Sequence, residues 1–258
     1  MNVVFSDLDG TLLDHETYSF DAARPALDRL KRDGIPLVLA SSKTEAEMRP
    51  IAQAIGIAWP MIVENGAGVV GLSGDTEIRQ CYGDLRRFLA DLPQPLRACF
   101  SGFGDWSDTE VAQRTGLPLE AARLARQRQF SEPGLFSGSD AQRQALLERL
   151  DAAGFRAAQG GRFFTLMPKT SKADAMATVA AHFRALSNAP VTTIALGDAE
   201  NDLAMLEAAD HGFIIANNAH SPLPVTQRER DGHILRSKAE GPEGWNRTIL
   251  DHLTRNNS

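Results

Sequence analysis

Asp7 and Asp9 stand two residues apart in the run Asp7-Leu8-Asp9-Gly10-Thr11, directly after the apolar residues Val3-Val4-Phe5. Carboxylates this close raise one another's proton affinity unless something positive pairs them, and a divalent cation keeps both ionised. Their oxygens suit magnesium. Gly10 lets the chain turn and lets main-chain amides approach a ligand. An aspartate can also attack phosphorus and carry the phosphoryl group as an acyl phosphate. A calcium loop needs acidic or Asn side chains at its first, third and fifth positions and Gly at its sixth. Here Gly10 is fourth and Thr11 fifth, so that motif is excluded. A capped turn is the bland alternative.

Three more segments carry candidate chemistry. Ser41-Ser42-Lys43-Thr44 opens a helical stretch, where free amides and hydroxyls can hold a phosphate, although Ser and Thr also cap helices routinely. Lys172 begins a helical stretch after Pro168-Lys169-Thr170-Ser171, an unfavourable place for a cation unless an aspartate or phosphate partners it. A solvated surface lysine is the competing reading. Asp198, Asn201 and Asp202 follow an apolar run and can complete a metal site or cap the next helix. Singly these signals are weak. Four of them, each at the end of an apolar run or the start of a helix, point to one shared site, because parallel strands bring their ends to one edge.

The intervening patterns supply that scaffold. Val3–Phe5, Ile35–Ala40, Met61–Val63, Val191–Leu196 and Gly212–Ala216 read as continuous apolar strands of a buried parallel sheet. Phe20–Asp33, with Ala23, Leu27 and Leu30 on one face, Glu45–Ile55, Ser171–Leu186 and Leu203–Ala209 read as helices. From about Asp84 to Gln159 the chain is richer in Arg, Gln and Ala. There Ala98–Phe103, Phe130–Phe136 and Phe155–Ala158 are candidate strands, and Glu110–Gln113, Glu120–Gln127 and Asp140–Ala153 candidate helices. The stretch from His220 to Gly244 is polar and punctuated by Gly and Pro, and Trp245–Leu253 reads as a terminal helix.

Composition narrows the function classes. The chain has 258 residues, 43% hydrophobic and 23% charged, with a formal net charge of −6. An acidic balance disfavours nucleic acid as a partner. No apolar run approaches the ~18 residues of a membrane span, and no basic and apolar leader opens the chain, so no membrane partner is expected and the cytoplasm is the default location. Cys81 and Cys99 cannot form a disulfide framework and sit near no His cluster; buried side chains are the expectation.

Together these residues resemble the haloacid dehalogenase superfamily, along the whole chain. The resemblance implies an α/β fold: a Rossmann-like parallel-sheet core, residues 1–83 and 160–258, with an inserted smaller α/β cap domain, residues 84–159. It implies Asp7 as nucleophile, Asp9 as general acid and base, Ser41 as the hydroxyl of the second motif and Lys172 as the lysine of the third. The second motif reads Ser41-Ser42-Lys43 in place of a common Thr-Gly-Arg form. Magnesium is the implied cofactor, held by Asp7, Asp9 and Asp198, with Asp202 and Asn201 orienting the shell.

Five stretches further resemble the mannosyl-3-phosphoglycerate phosphatase family: Ser41–Thr44, Glu64-Asn65-Gly66-Ala67, Arg128-Gln129-Phe130-Ser131-Glu132-Pro133, Gly161-Arg162-Phe163-Phe164 and Gly241-Pro242-Glu243-Gly244-Trp245. This resemblance implies a small phosphorylated glycoside as substrate, contacted by Ser42, Lys43, Asn65 and Gly66, with Arg128 and Arg162 for a glycerate carboxylate. The alternatives are a phosphatase for glucosyl-3-phosphoglycerate or for sugar phosphates generally and, in another class, a non-catalytic phosphate-binding regulator. The regulator reading is disfavoured because no motif carboxylate is missing.

Overall fold

The computed structural model describes residues 1–72, 80–160, 162–187, 189–219 and 221–255. Gly161 of the fourth resembling stretch and His220, where the polar tail begins, lie outside the described residues. In chain order the elements are β1 (Asn2–Ser6), α1 (Arg24–Arg32), β2 (Leu37–Leu39), α2 (Glu45–Ile55), β3 (Met61–Val63), β4 (Gly68–Val70), α3 (Gln80–Ala90), α4 (Gln94–Arg97), β5 (Phe100–Gly102), α5 (Asp108–Thr115), α6 (Leu119–Ala125) and β6 (Glu132–Phe136). They continue as α7 (Asp140–Ala152), β7 (Phe155–Gln159), β8 (Phe164–Pro168), α8 (Lys172–Ser187), β9 (Thr192–Gly197), α9 (Leu203–Ala208), β10 (His211–Ala216), α10 (Gln227–Arg230), β11 (Ile234–Glu240) and α11 (Gly241–Arg255). Among the described residues no helix is long and apolar enough to cross a membrane.

The chain forms two compact units: Met1–Ser41, Ala52–Leu72 and Ser171–Ser258 in the first, Ser42–Ile51 and Ser73–Thr170 in the second. The first holds a five-stranded sheet in the order β11-β10-β9-β1-β2, parallel throughout. Parallel strands covered on both faces must be apolar along their length, and β1 is: Val3, Val4 and Phe5 are fully buried. Val3 and Phe5 share a core cluster with Met176, Val179 and Phe183 of α8. Burying a side chain the size of phenylalanine stabilises by about 1.5–3 kcal/mol. Because successive strand residues face opposite ways, Ser6 points away from that cluster, to where Trp245 of α11 lies. On α1 the expected face is buried, with Leu27 and Leu30.

Two expectations need correction here. Met61–Val63 forms a strand, but not one of the parallel sheet. It pairs antiparallel with β4, and an isolated Ala40–Ile62 bridge ties it to the chain after β2. The cause is the turn Glu64-Asn65-Gly66, where three successive residues have positive φ (52°, 62° and 85°) and reverse the chain. The polar tail also contains β11, the edge strand of the parallel sheet. Beyond Ile234 its residues are exposed or half-buried, which conceals it from a reading that looks for apolar runs.

The second unit holds a four-stranded antiparallel sheet, β5-β6-β8-β7, whose core includes Leu85, Leu89, Phe100, Leu146, Leu150 and Leu166. Here β8 is an interior strand, paired with both β6 and β7, so this sheet runs on to Pro168, beyond the residue 159 expected from composition. Helices α5 and α7 start on capping boxes, Ser107 with Glu110 and Ser139 with Gln142. Glu132 is wholly buried and accepts hydrogen bonds from Tyr82 (2.6 Å), Arg86 (2.8 Å) and the Gly104 amide (2.8 Å). Cys81 is half-buried and Cys99 buried, their thiols donating to the carbonyls of Phe130 and Pro95.

Candidate active site

Asp7 lies just beyond β1, its amide donating to the Leu196 carbonyl of β9 at 2.9 Å. The chain then doubles back, with the Thr11 and Leu13 amides both donating to the Leu8 carbonyl. Gly10 is required twice over. Its φ of +79° disfavours any side chain, and a Cβ there would fall 2.2 Å from the Asn217 amide nitrogen. Asp7 is 6% exposed and Asp9 half-buried.

Lys172, the first residue of α8, is 1% exposed and reaches the same place. Its Nζ donates to Asp7 Oδ1 at 2.6 Å and to Asp202 Oδ1 at 2.5 Å. The other Asp202 oxygen accepts the amides of Asp198 and Ala199, each at 3.1 Å. Gly197 makes room, since a Cβ there would lie 2.5 Å from that of Asp202. Asp198 is held by Thr11, whose hydroxyl donates to Oδ1 at 2.5 Å, and by Asn217, whose amide donates to Oδ2 at 2.8 Å. Lysine at a helix N-terminus, unfavourable to the helix dipole, is thus explained by two buried carboxylates.

Asp7, Asp198 and Asp202 gather in one buried place, with the Lys172 ammonium bonded to Asp7 and Asp202. Burial, followed by the Asp202 charge, pushes the Asp7 pKa well above the ordinary aspartate value, against the pull of Lys172. For Lys172, burial works against the charge, but Asp202 and Asp7 outweigh it and hold the ammonium above its usual range. A divalent cation at these carboxylates would offset both the burial of their charge and their mutual repulsion. Each of the three aspartates can offer an oxygen, and these atoms lie within 4.8 Å of one another. A buried, all-oxygen carboxylate set of that kind fits a hard divalent cation.

The turn Glu64–Gly66 joins this group. The Asn65 amide donates to the Ser41 carbonyl at 2.9 Å, and its side-chain oxygen accepts the Asn201 amide at 3.0 Å. Ser41 is fully buried, its own amide bonded to Ile62. Gly66 presses on the start of α8, where a Cβ would lie 2.3 Å from the Ser171 carbonyl carbon. The structure thus gathers Asp7, Lys172, Asp198 and Asp202, and links Ser41, Asn65 and Asn201.

The remaining candidates belong to the second unit. Arg128 donates to the Ser42 carbonyl at 3.1 Å and lies over the Phe103 ring. Ser42 is exposed and Lys43 half-buried. Arg162 is exposed and gives one guanidinium nitrogen to the Arg114 carbonyl at 2.6 Å. Asn217 and the hydroxyl of Thr11 were not singled out on the sequence. The available signal for Asn217 was its place directly after the apolar run of β10.

A family model described as haloacid dehalogenase-like hydrolase matches residues 4–82 and 136–224. A glucosyl-3-phosphoglycerate/mannosyl-3-phosphoglycerate phosphatase from Methanococcoides burtonii is 33% identical over 275 residues, covering 100% of this chain and 99% of that one. A protein of the same name from Persephonella marina is 36% identical over 263 residues, covering 96% and 95%. Among solved structures, the sucrose-phosphatase of Synechocystis sp. PCC6803 superposes with a TM-score of 0.62 at 16% identity, covering 98% of this chain and 96% of its own. A haloacid dehalogenase-like hydrolase from Bacteroides thetaiotaomicron gives 0.61 at 16% identity, covering 97% and 99%. At these identities the two structures establish the fold alone.

Proposed function

The chain belongs to the haloacid dehalogenase-like hydrolases and is a phosphoric monoester hydrolase, and we propose that it dephosphorylates mannosyl-3-phosphoglycerate to mannosylglycerate with Asp7 as nucleophile. The observation that carries this reading is the buried Asp7 carboxylate, bonded to Lys172 and grouped with Asp198 and Asp202. Glucosyl-3-phosphoglycerate is the second substrate, a reading favoured by the two relatives, whose names carry both sugars.

In the first step an Asp7 oxygen bonds to phosphorus and the ester P–O bond breaks. Asp9 gives its proton to the leaving oxygen of the glycerate. In the second step water attacks phosphorus, Asp9 takes a proton from it, and the Asp7 carboxylate is released. Ser41 and Lys172 hold the phosphoryl oxygens as charge spreads over them. Magnesium is the proposed cation, with Asp7, Asp198 and the Asp9 main-chain oxygen as its ligands. When bound it polarises the phosphoryl group and screens it from the Asp7 carboxylate. Asp202, whose oxygens carry Lys172 and two amides, braces both partners. Residues 84–159, with the sheet that extends them, act as the cap. Within it Arg128 and Arg162 are the proposed carboxylate partners, since an arginine fork matches a carboxylate.

Phosphate release from mannosyl- and glucosyl-3-phosphoglycerate, beside trehalose phosphate, sucrose phosphate and free 3-phosphoglycerate, tests the reading. Magnesium-dependent turnover of the two glycosylated phosphoglycerates, stopped by EDTA, is expected. Preferred turnover of a disaccharide phosphate would contradict the substrate, and full activity in EDTA would remove the metal.

A further inference from the structure

Ser6 ends β1 with its hydroxyl fully buried, a costly placement unless both its donor and its acceptor capacity are met. Both are. The hydroxyl donates to the main-chain oxygen of Asp7 at 2.7 Å and accepts the indole N–H of Trp245 at 2.9 Å. Trp245 is itself wholly buried and stands 239 residues further along the chain. Three groups in series therefore end on the carbonyl of the nucleophile itself.

The segment that delivers the indole is built for it. Gly241 has a φ of +48°, and α11 begins there. A Cβ on Gly244 would sit 2.0 Å from the Ala239 carbonyl oxygen and 2.9 Å from the Ser237 hydroxyl, so only glycine lets this turn of α11 press against β11. The Ser237 hydroxyl bonds to the Ala239 carbonyl at 2.6 Å and accepts the Ala216 amide of β10 at 2.9 Å, fixing that contact to the sheet. A tryptophan that only filled the core would be satisfied by any nearby acceptor. Here the acceptor in turn donates its own hydrogen bond to the main-chain carbonyl of the residue that carries the reactive carboxylate.

We propose that Trp245 and Ser6 are positioning residues for catalysis: they fix the Asp7–Leu8 peptide plane, and so the direction in which the Asp7 carboxylate meets phosphorus. This inference rests on the reading of Asp7 as nucleophile. It gives the run Gly241-Pro242-Glu243-Gly244-Trp245 a function in the reaction. Hydrogen bonds in series polarise one another, so loss of either member weakens the whole chain.

Trp245→Phe removes the N–H and keeps most of the ring, and Ser6→Ala removes the hydroxyl. Each variant and the pair are compared with the full-length wild-type protein in magnesium, with p-nitrophenyl phosphate as a substrate that makes no demand on sugar recognition. The rate constant of phosphoenzyme formation is read in single turnover, with kcat, KM and Tm alongside. Expected are a fall in the phosphorylation rate constant and kcat of about 10-fold or more for each, KM within about 2-fold, and a double variant no worse than the poorer single. A lowered Tm with an unchanged phosphorylation rate constant in either folded variant would overturn the inference. Asp7→Asn separates the two claims: if it still forms phosphoenzyme, the nucleophile is wrong. If it forms none while Ser6→Ala and Trp245→Phe react at the wild-type rate, only the positioning role fails.

Discussion

The Nζ of Lys172 lies 2.6 Å from Oδ1 of Asp7, although 165 residues separate them in the chain. The lysine opens α8 and the aspartate follows β1, so the parallel sheet and the helix packed on it set this distance. Removing Lys172 leaves Asp7 and Asp202 buried without their cation, which costs about 3–5 kcal/mol for a buried pair. The same contact pulls the Asp7 pKa down, although burial and the neighbouring Asp202 outweigh that pull.

Lys172→Met keeps the length of the side chain and removes the charge. A loss in kcat of about 10²–10³ is expected, as for other preorganised charges that meet a transition state. Half-saturation by magnesium should not rise, because the surplus of carboxylates grows. Titration of activity with magnesium checks both; near-normal kcat, or weaker magnesium affinity as the sole change, would contradict the role.

Asn217→Ala and Thr11→Ala each free one oxygen of Asp198 from its orienting bond. Magnesium affinity should weaken about 10–100-fold, as is usual when a ligand loses its outer partner. Calorimetric titration of magnesium reads the change directly. Unchanged affinity in both variants would show that Asp198 does not hold the ion.

Gly66→Ala places a methyl 2.3 Å from the Ser171 carbonyl carbon and forces a side chain onto a φ of +85°. A cost of about 2–4 kcal/mol is expected from overpacking and backbone strain together. Urea unfolding measures it, and a variant as stable as wild type would mean that the turn does not brace α8.

Much of this site was legible in the sequence because strands buried on both faces appear as unbroken apolar runs. Val3–Phe5 and Val191–Leu196 announced themselves, and the acidic residues beyond them with them. The edge strand β11 was not legible, since Leu235 and Arg236 face outward and break the pattern. Nor was β8, because Phe164 and Leu166 alternate with half-buried Thr165 and a Gly-Gly break precedes them. Helix α5 starts at Asp108, earlier than the expected Glu110. The Ser107-x-x-Glu110 capping box was the signal to use. Partners such as Thr11 with Asp198, 187 residues apart, and Ser6 with Trp245 leave no local trace at all.

Asp105 in the second unit accepts hydrogen bonds from Arg86 and Arg97, each at 2.7 Å, and from the Gly102 amide at 3.0 Å. Burial alone would raise its pKa, but these donors hold it below the usual carboxylate value. Its pairing therefore stabilises the fold above a pH of about 4, the unfolded value, and fades as pH falls through the lower folded one. Asp105→Asn should cost about 1–2 kcal/mol at neutral pH, with the gap from wild type narrowing below about pH 4. Denaturant unfolding across pH checks this; a gap that stays constant in acid would contradict it.

Acid-quenched protein, taken during turnover of mannosyl-3-phosphoglycerate in magnesium, can be digested and its phosphorylated peptide mapped. A hydroxylamine-labile acyl phosphate on Asp7, missing from Asp7→Asn together with all turnover, is the expected result. A phosphoryl group on another residue, or steady turnover by Asp7→Asn, would contradict the assignment of Asp7 as the nucleophile.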